Sequence, residues 1–374
     1  MAKVTVHLIY TGGTIGGKQV KVSQRKYKPE IDIDFGPKEF FHKLEHKRIA
    51  AGPEIELIWG EHEGKYDLSE NFIPRDWIDI ARSVLRARHK GANGVVIAHG
   101  TDTMVWTASA LAFLLRGLDI PVVLTGSRHA ISEKGTDAIK NLSDAVFVAS
   151  HTRMRGVFIS FAGSSEAETL VHLGVRARKS QNGPNCYMSV HTRPIARICP
   201  RWLFEWQTQL KITNRELLRQ SCELNETSCL ESDLHLCPDV ALIKLYPGLR
   251  PDYVKEALGH GVKGVVLEAY DGGTGPACDK TDHKEHRKHS MVELIKYLTI
   301  HGIPVFVVSQ HDGRVTMDAY GSAVNLRAAG GVPLEDMVTE AAVAKLMWAL
   351  GHQWETARVK EIMVQNLCGE VTEQ

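Results

Sequence analysis

Charge of one sign is missing from this chain of 374 residues: 45 lysines and arginines stand against 44 aspartates and glutamates, a net charge of +1. So even a balance leaves no electrostatic footprint for nucleic acid or an anionic membrane surface, and neither is expected as a partner. Long apolar runs are missing too; none approaches the roughly 20 residues of a membrane-spanning helix. The seven cysteines lie between Cys186 and Cys368 without a C-x-x-C pair. An odd, scattered set points to free thiols in a reducing compartment. Met1-Ala2-Lys3 runs straight into a strand-like stretch and leaves no room for a secretory signal. A cytoplasmic location is therefore expected, and the sequon Asn225-Glu226-Thr227 reads as chance.

What is present is ordinary for a globular protein, with 43% hydrophobic and 24% charged residues. The length calls for two domains, each able to bury a core. The organising stretch is Val4-Thr5-Val6-His7-Leu8-Ile9-Tyr10-Thr11-Gly12-Gly13-Thr14-Ile15-Gly16-Gly17. It starts as a buried β-branched strand and ends in glycines, which let a backbone turn sharply and approach a ligand. Its residues alone leave three readings open: a tight strand-exit turn, a phosphate loop, or a loop presenting Thr14 as a nucleophile. Gly12 to Lys18 nearly fits G-x-x-x-x-G-K-[ST]. The fit fails at Gln19, which brings no hydroxyl for Mg²⁺, and Val20 to Lys26 has no amphipathic helical pattern.

Residues 18–45 are polar, ending in a helical pattern near Phe40, and Tyr27 stands in a segment that could fold over the strand ends as a lid. Glu54 to Trp59 reads as a strand. A helix follows with Ile73, Trp77, Ile80, Ala81, Val84 and Leu85 on one face. Gly94 to Ala98 is the next strand and runs into His99-Gly100-Thr101-Asp102-Thr103, before a helix from Met104 to Leu115. Either Thr101 or Asp102 would also serve as a plain helix cap. A strand at Val122 to Thr125, a helix at Thr136 to Ser150 and a strand at Val157 to Phe161 complete a doubly wound parallel pattern.

Thr169 to Lys179 holds Arg176, Arg178 and Lys179 close together, which by itself suggests a solvated basic face. Residues 199–237 have no clear periodicity and read as a connector with a short helix near Arg215 to Leu224. The expected domains are thus 1–198 and 238–374. In the second, strands are expected at Val240 to Leu245, Gly264 to Glu268 and Pro304 to Val308, with helices near Pro251 to Leu258, Met291 to Leu298 and Pro333 to Leu350. His283, His286 and His289 share a helical spacing that a metal site would need. The lysines and arginines among them favour a solvated face, and no metal or other cofactor is expected.

The polar residues that reach the strand ends are Thr14, Ser69, Glu70, Thr101, Asp102 and Lys179. A threonine hydroxyl attacks only when a base takes its proton. A lysine positioned by a carboxylate can do this, and backbone N–H groups of the glycine loops could hold an oxyanion. The set reads as acyl transfer on an amide or ester.

Ile9-Tyr10-Thr11-Gly12-Gly13-Thr14-Ile15-Gly16 and His99-Gly100-Thr101-Asp102-Thr103-Met104 resemble the two signature motifs of the bacterial-type L-asparaginases, most closely the cytoplasmic type I branch. The likeness extends through Gly126-Ser127, Thr136-Asp137-Ala138, Tyr246-Pro247-Gly248, Gly264 to Glu268, Ser309-Gln310 and Glu335 to Ala341, over almost the whole chain. It implies an N-terminal flavodoxin-like parallel-sheet domain and a smaller C-terminal α/β domain. It further implies Thr14 as nucleophile with Tyr27 beside it on the lid, and Thr101, Asp102 and Lys179 as a proton-handling triad. Ser69 and Glu70, with Asp102, would grip the α-carboxylate and α-amino groups of L-asparagine. Within the family, Ser-Glu at this pair accompanies broader tolerance of glutamine. The active unit implied is a homodimer or homotetramer.

The departures bear on substrate choice. Leu68-Ser69-Glu70 stands where type I relatives commonly show Asp-Ser-Ser, Ser127-Arg128-His129-Ala130 lacks a usual proline, and Thr274 replaces a usual asparagine. The connector is also longer than usual. The archaeal glutamyl-tRNA amidotransferase has an asparaginase-like subunit with similar motifs. It usually carries an extra N-terminal domain, for which a first strand starting at Val4 leaves no room. A non-catalytic amino-acid-binding homologue is the third alternative.

Overall fold

Val4–Tyr10 forms β1, buried from Val6 onward, as an apolar run between two neighbouring strands must be. The computed structural model describes residues 3–19, 31–32, 37–47, 49, 54–62, 64, 67–151, 154–164, 168–181, 183, 185–199, 203–206, 233–259, 261–278 and 284–372. The chain divides into two compact units, Met1–Leu234 and His235–Gln374.

In the first unit, β1 leads into a short 3-10 turn at Thr14–Gly16 and the pair β2 (Lys18–Gln19) and β3 (Ile31–Asp32). Then come α1 (Pro37–Lys47), β4 (Ile55–Trp59), α2 (Pro74–His89), β5 (Gly94–Ala98), α3 (Met104–Leu114), β6 (Pro121–Thr125), α4 (Ala138–Ala149) and β7 (Gly156–Ala162). The eight-stranded sheet continues with β8 (Thr169–Leu173), β11 (Ala196–Cys199) and β12 (Leu203–Trp206), while β9 (Ala177–Lys179) and β10 (Tyr187–Ser189) form a separate hairpin. Strand order is β12-β11-β8-β7-β6-β5-β1-β4.

β4, β1, β5, β6 and β7 are mutually parallel, whereas β8, β11 and β12 add on antiparallel. Numbered by chain position, the parallel set reads 2-1-3-4-5, the flavodoxin-like order. Its topological switch point lies between β1 and β5, where ligands bind beyond the strand ends. Helix α3 is buried almost all round, with Trp106 alone part-exposed, so it belongs to the interior rather than to a solvent-facing layer.

Two expectations need correcting. Thr169 to Lys179 is not a solvated basic face, because Thr169–Leu173 is β8 and Arg176 is fully buried. The helix expected from Pro333 begins at Thr339, because Gly331–Pro333 pairs with β15 (Val305–Ser309) as the short strand β16. Glu335 then takes a left-handed φ of 54°, which no helix continues through. β12 and the end of β11 fall within residues 199–237, and the helix expected near Arg215 to Leu224 lies outside the described residues.

The second unit is a parallel sheet in the order β13 (Val240–Lys244), β14 (Gly264–Ala269), β15, β16. Its helices are α5 (Pro251–Leu258), α6 (Lys284–Arg287), α7 (Val292–Ile300), α8 (Gly321–Ala328), α9 (Thr339–Gly351) and α10 (Thr356–Val364). Val265, Leu267, Val305 and Val307 pack with Val254, Leu294, Leu298 and Leu326 in one core. Of the spaced histidines, His283 lies outside the described residues and His289 Nδ1 donates to the Leu249 carbonyl at 3.1 Å. Among the described residues, no group of three His, Cys, Asp or Glu side chains is placed to hold a metal ion.

The C-terminal segment is tied to α9 by Lys345, a fully buried ammonium that donates to the carbonyls of Met363 and Gln365 and to Glu370 Oε1 at 2.7 Å. Glu370, equally buried, also accepts from the Leu367 and Cys368 N–H groups. Removing one partner of such a pair strands a charge in a low-dielectric interior. Lys345→Met is expected to lower unfolding free energy by about 3–5 kcal/mol, measured by urea denaturation. A loss below about 1 kcal/mol would mean that the pair does not anchor the segment.

Candidate active site

The loop after β1 and the loop after β5 meet at the switch point. Gly12 and Gly13 take φ of 114° and 84°, which residues with side chains rarely adopt. A Cβ on Gly13 would stand 2.4 Å from Gly100 Cα, and one on Gly100 would stand 2.5 Å from Ser69 Oγ. Three segments are therefore in backbone-close contact because two of their residues have no side chain. Asp67 adds a further tie, with Gly13 N–H donating to its carbonyl at 3.1 Å and its own N–H donating to the Thr11 carbonyl at 3.2 Å.

Thr14 opens the 3-10 turn Thr14–Gly16 and is half-buried. Beyond the neighbouring strand, Lys179 Nζ donates to Thr101 Oγ1 at 3.1 Å and to Asp102 Oδ1 at 2.6 Å. The lysine is largely enclosed, its side chain 17% exposed, whereas Asp102 is open at 67%. The structure thus brings Thr101, Asp102 and Lys179 together. It also places Ser69 in contact with Gly100, which packs on Gly13 as well. Thr103 Oγ1 donates to the Ser69 carbonyl at 2.8 Å. Ser69 Oγ is buried without a hydrogen-bond partner among the described residues, a state that costs about 1–3 kcal/mol unless something fills it. Glu70 follows on the same short helix, Ser69–Asn71, with an exposed side chain. Tyr27 lies outside the described residues.

Sequence reading missed several supporting residues. Tyr187 is the direct cross-strand partner of Lys179, and its hydroxyl donates to the Thr101 carbonyl at 2.6 Å. Burial pushes this phenol well above its ordinary pKa, so it remains a donor. Burial likewise pushes the Cys186 thiol up to about 11, against the opposing pull of Lys179 and Arg128. A neutral thiol is a poor nucleophile. Asp67 Oδ1 accepts from the Leu68 N–H and from Asn71 Nδ2, shaping the turn that carries Ser69. Asp67 belongs to the polar run Tyr66-Asp67-Leu68-Ser69-Glu70-Asn71 that also carries Ser69, whereas nothing in the spacing of Tyr187 marked it.

A flavodoxin-like sheet with a threonine loop and a Thr–Asp–Lys cluster at its switch point defines a hydrolase of the asparaginase type. The chain belongs to the asparaginase family: residues 5–210 match the asparaginase N-terminal domain, and residues 239–363 match the glutaminase/asparaginase C-terminal domain. It is 38% identical to a subunit of the glutamyl-tRNA(Gln) amidotransferase of Metallosphaera sedula, over 98% of this chain and 76% of that protein. Its identity to the corresponding amidotransferase protein of Sulfolobus acidocaldarius is 34%, over 98% of this chain and 75% of the relative. Among solved structures, the thermostable L-asparaginase of Thermococcus kodakarensis superposes with a TM-score of 0.76 at 29% identity, covering 99% of this chain and all of the other. L-asparaginase I of Vibrio cholerae gives 0.74 at 25% identity, with both chains fully covered.

Proposed function

We propose that this protein hydrolyses the side-chain carboxamide of free L-asparagine, giving L-aspartate and ammonia through an ester on Thr14. The observation that carries the reading is Lys179 Nζ bridging Thr101 Oγ1 and Asp102 Oδ1 beside the loop that bears Thr14. The Thr14 hydroxyl loses its proton and its oxygen bonds to the carboxamide carbon. The C–N bond then breaks, nitrogen takes a proton, and ammonia leaves. Water attacks the ester, the Thr101–Lys179 pair relays its proton, and aspartate departs with Thr14 restored. Ser69 Oγ, buried and unpartnered among the described residues, is assigned to the α-carboxylate. Glu70 and Asp102, both exposed at the rim, are assigned to the α-ammonium. The working form is proposed to be a homodimer or homotetramer.

The test is ammonia release from purified protein with asparagine, glutamine and isoaspartyl peptides, and no partner added. Turnover of asparagine above the other amides supports the proposal; no release from any of them overturns it. The two archaeal relatives favour a second reading, in which glutamine is the donor and the ammonia serves an amidotransferase assembly. A kcat/KM for glutamine above that for asparagine would decide for it.

Glu70 offers a finer test. A carboxylate attracts the substrate ammonium as an ion, whereas an amide only accepts a hydrogen bond. Glu70→Gln is expected to lower kcat/KM on the order of tenfold for glutamine and about threefold for asparagine. An unchanged ratio of the two constants would show that Glu70 does not set side-chain choice.

A further inference from the structure

The Gly100 peptide packs on Gly13 and Ser69 and directly precedes Thr101. What fixes its orientation is His99. The imidazole Nδ1 lies 2.7 Å from the Gly100 carbonyl oxygen, and Nε2 lies 2.9 Å from Thr107 Oγ1 on α3. Thr107 Oγ1 in turn accepts from Trp77 Nε1 of α2 at 3.0 Å. These partners settle where the protons are. A carbonyl cannot donate, so Nδ1 carries hydrogen; in the neutral ring Nε2 is then an acceptor and takes the Thr107 hydroxyl proton, while Thr107 accepts from the indole N–H of Trp77. The chain runs in one direction from Trp77 through Thr107 and His99 to the Gly100 carbonyl, with every group satisfied. Its three side chains are all buried, and Phe72 meets the imidazole edge-on at a centroid distance of 5.1 Å.

We propose that His99 is a positioning residue of the hydrolase: its Nδ1–H holds the Gly100 carbonyl, and so sets the peptide on which Thr101 and the Gly13–Thr14 loop are seated. This role rests on the reading of the site as a carboxamide hydrolase. His99 touches no reacting atom in that scheme and acts only through the backbone. A peptide rotated away from this geometry moves the Thr101 hydroxyl relative to Lys179, and small displacements of such groups cost rate far more than binding. Burial supports the neutral tautomer by lowering the imidazole pKa to about 4, against the opposing effect of the Gly100 bond. The Tyr187 hydroxyl holds the next carbonyl, that of Thr101, so successive peptides of the loop are anchored by separate side chains.

The test compares His99→Asn with His99→Gln. Asparagine can keep an N–H where Nδ1 was, whereas the longer glutamine carries its amide towards the former Nε2. His99→Gln is expected to lower kcat about 100-fold with KM changed less than about threefold, and His99→Asn to recover kcat to within about tenfold of wild type. Equal losses in both variants that track equal falls in Tm would reduce His99 to a packing role and overturn the proposal; so would wild-type kcat in His99→Gln. If the unaltered protein releases no ammonia from either amide, the functional reading fails, and imidazole ¹⁵N shifts at neutral pH decide His99 independently. A neutral ring protonated at Nδ1 supports the clamp, and one protonated at Nε2 overturns it.

Discussion

Thr14→Ala is expected to abolish ammonia release, by about 10⁴-fold or more, while the protein stays folded. The expectation follows from the proposed ester on Thr14: alanine has no oxygen to bond to the carboxamide carbon, and the proposed scheme commits the Thr101 and Ser69 hydroxyls to proton relay and substrate binding. The fold should survive because the turn around Thr14 is held by main-chain bonds. Gly17 N–H donates to the Thr14 carbonyl at 2.9 Å, and Gly16 N–H to that of Gly13 at 3.1 Å. Neither bond involves the hydroxyl, and Thr14 is only half-buried. A Tm within a few degrees of wild type together with lost turnover is the predicted pair of results. Thr14→Ser, which keeps a hydroxyl, should retain measurable activity. If alanine left more than a few per cent of the rate, the nucleophile would have to be another group.

Lys179→Met should lower kcat by about 10³-fold with KM changed only a few-fold. Methionine follows the apolar stem of lysine but carries no group that can take a proton from Thr101 or hold Asp102. The register matters here, because Arg176, Arg178 and Lys179 crowd together in sequence. In the hairpin, Lys179 pairs with Tyr187 and Arg178 with Met188, so adjacent side chains project to opposite faces. Arg176 is fully buried. Arg178→Met is therefore the control, with kcat expected near wild type. A wild-type kcat in Lys179→Met, or an equal collapse in Arg178→Met, would remove Lys179 from the triad.

Both experiments depend on information of different origin. The strand–glycine–hydroxyl pattern was legible because strand, turn and threonine are contiguous: Val4–Tyr10 and Thr14–Gly16 are local consequences of β-branched residues followed by glycines. The same holds for Gly94–Ala98 running into Thr101 and Asp102, and for most of the alternating strands and helices. Apolar runs flanked by glycine and polar turns specify these elements within a window of a few residues. The family motifs sit in those windows, which is why they were recognisable.

Contacts across long chain separations decided the rest. Lys179 reaches Thr101 and Asp102 across 78 and 77 positions, and nothing local distinguished it from a solvated lysine beside two arginines. Its enclosure depends on β9 pairing with β10 and on Tyr187 reaching back to the Thr101 carbonyl. The antiparallel additions β8, β11 and β12 were unreadable because His172, Arg197 and Glu205 interrupt their apolar runs, unlike the uninterrupted run of Gly94–Ala98. The histidine of His99-Gly100-Thr101-Asp102 was visible throughout. That it is neutral, buried and bonded to Thr107 and the Gly100 carbonyl follows only from α2 and α3 packing behind the loop. Local sequence determined which residues could form the elements and carry the chemistry. Tertiary packing determined which of them meet, because burial, proton placement and register are properties of neighbours that the chain brings together only when folded.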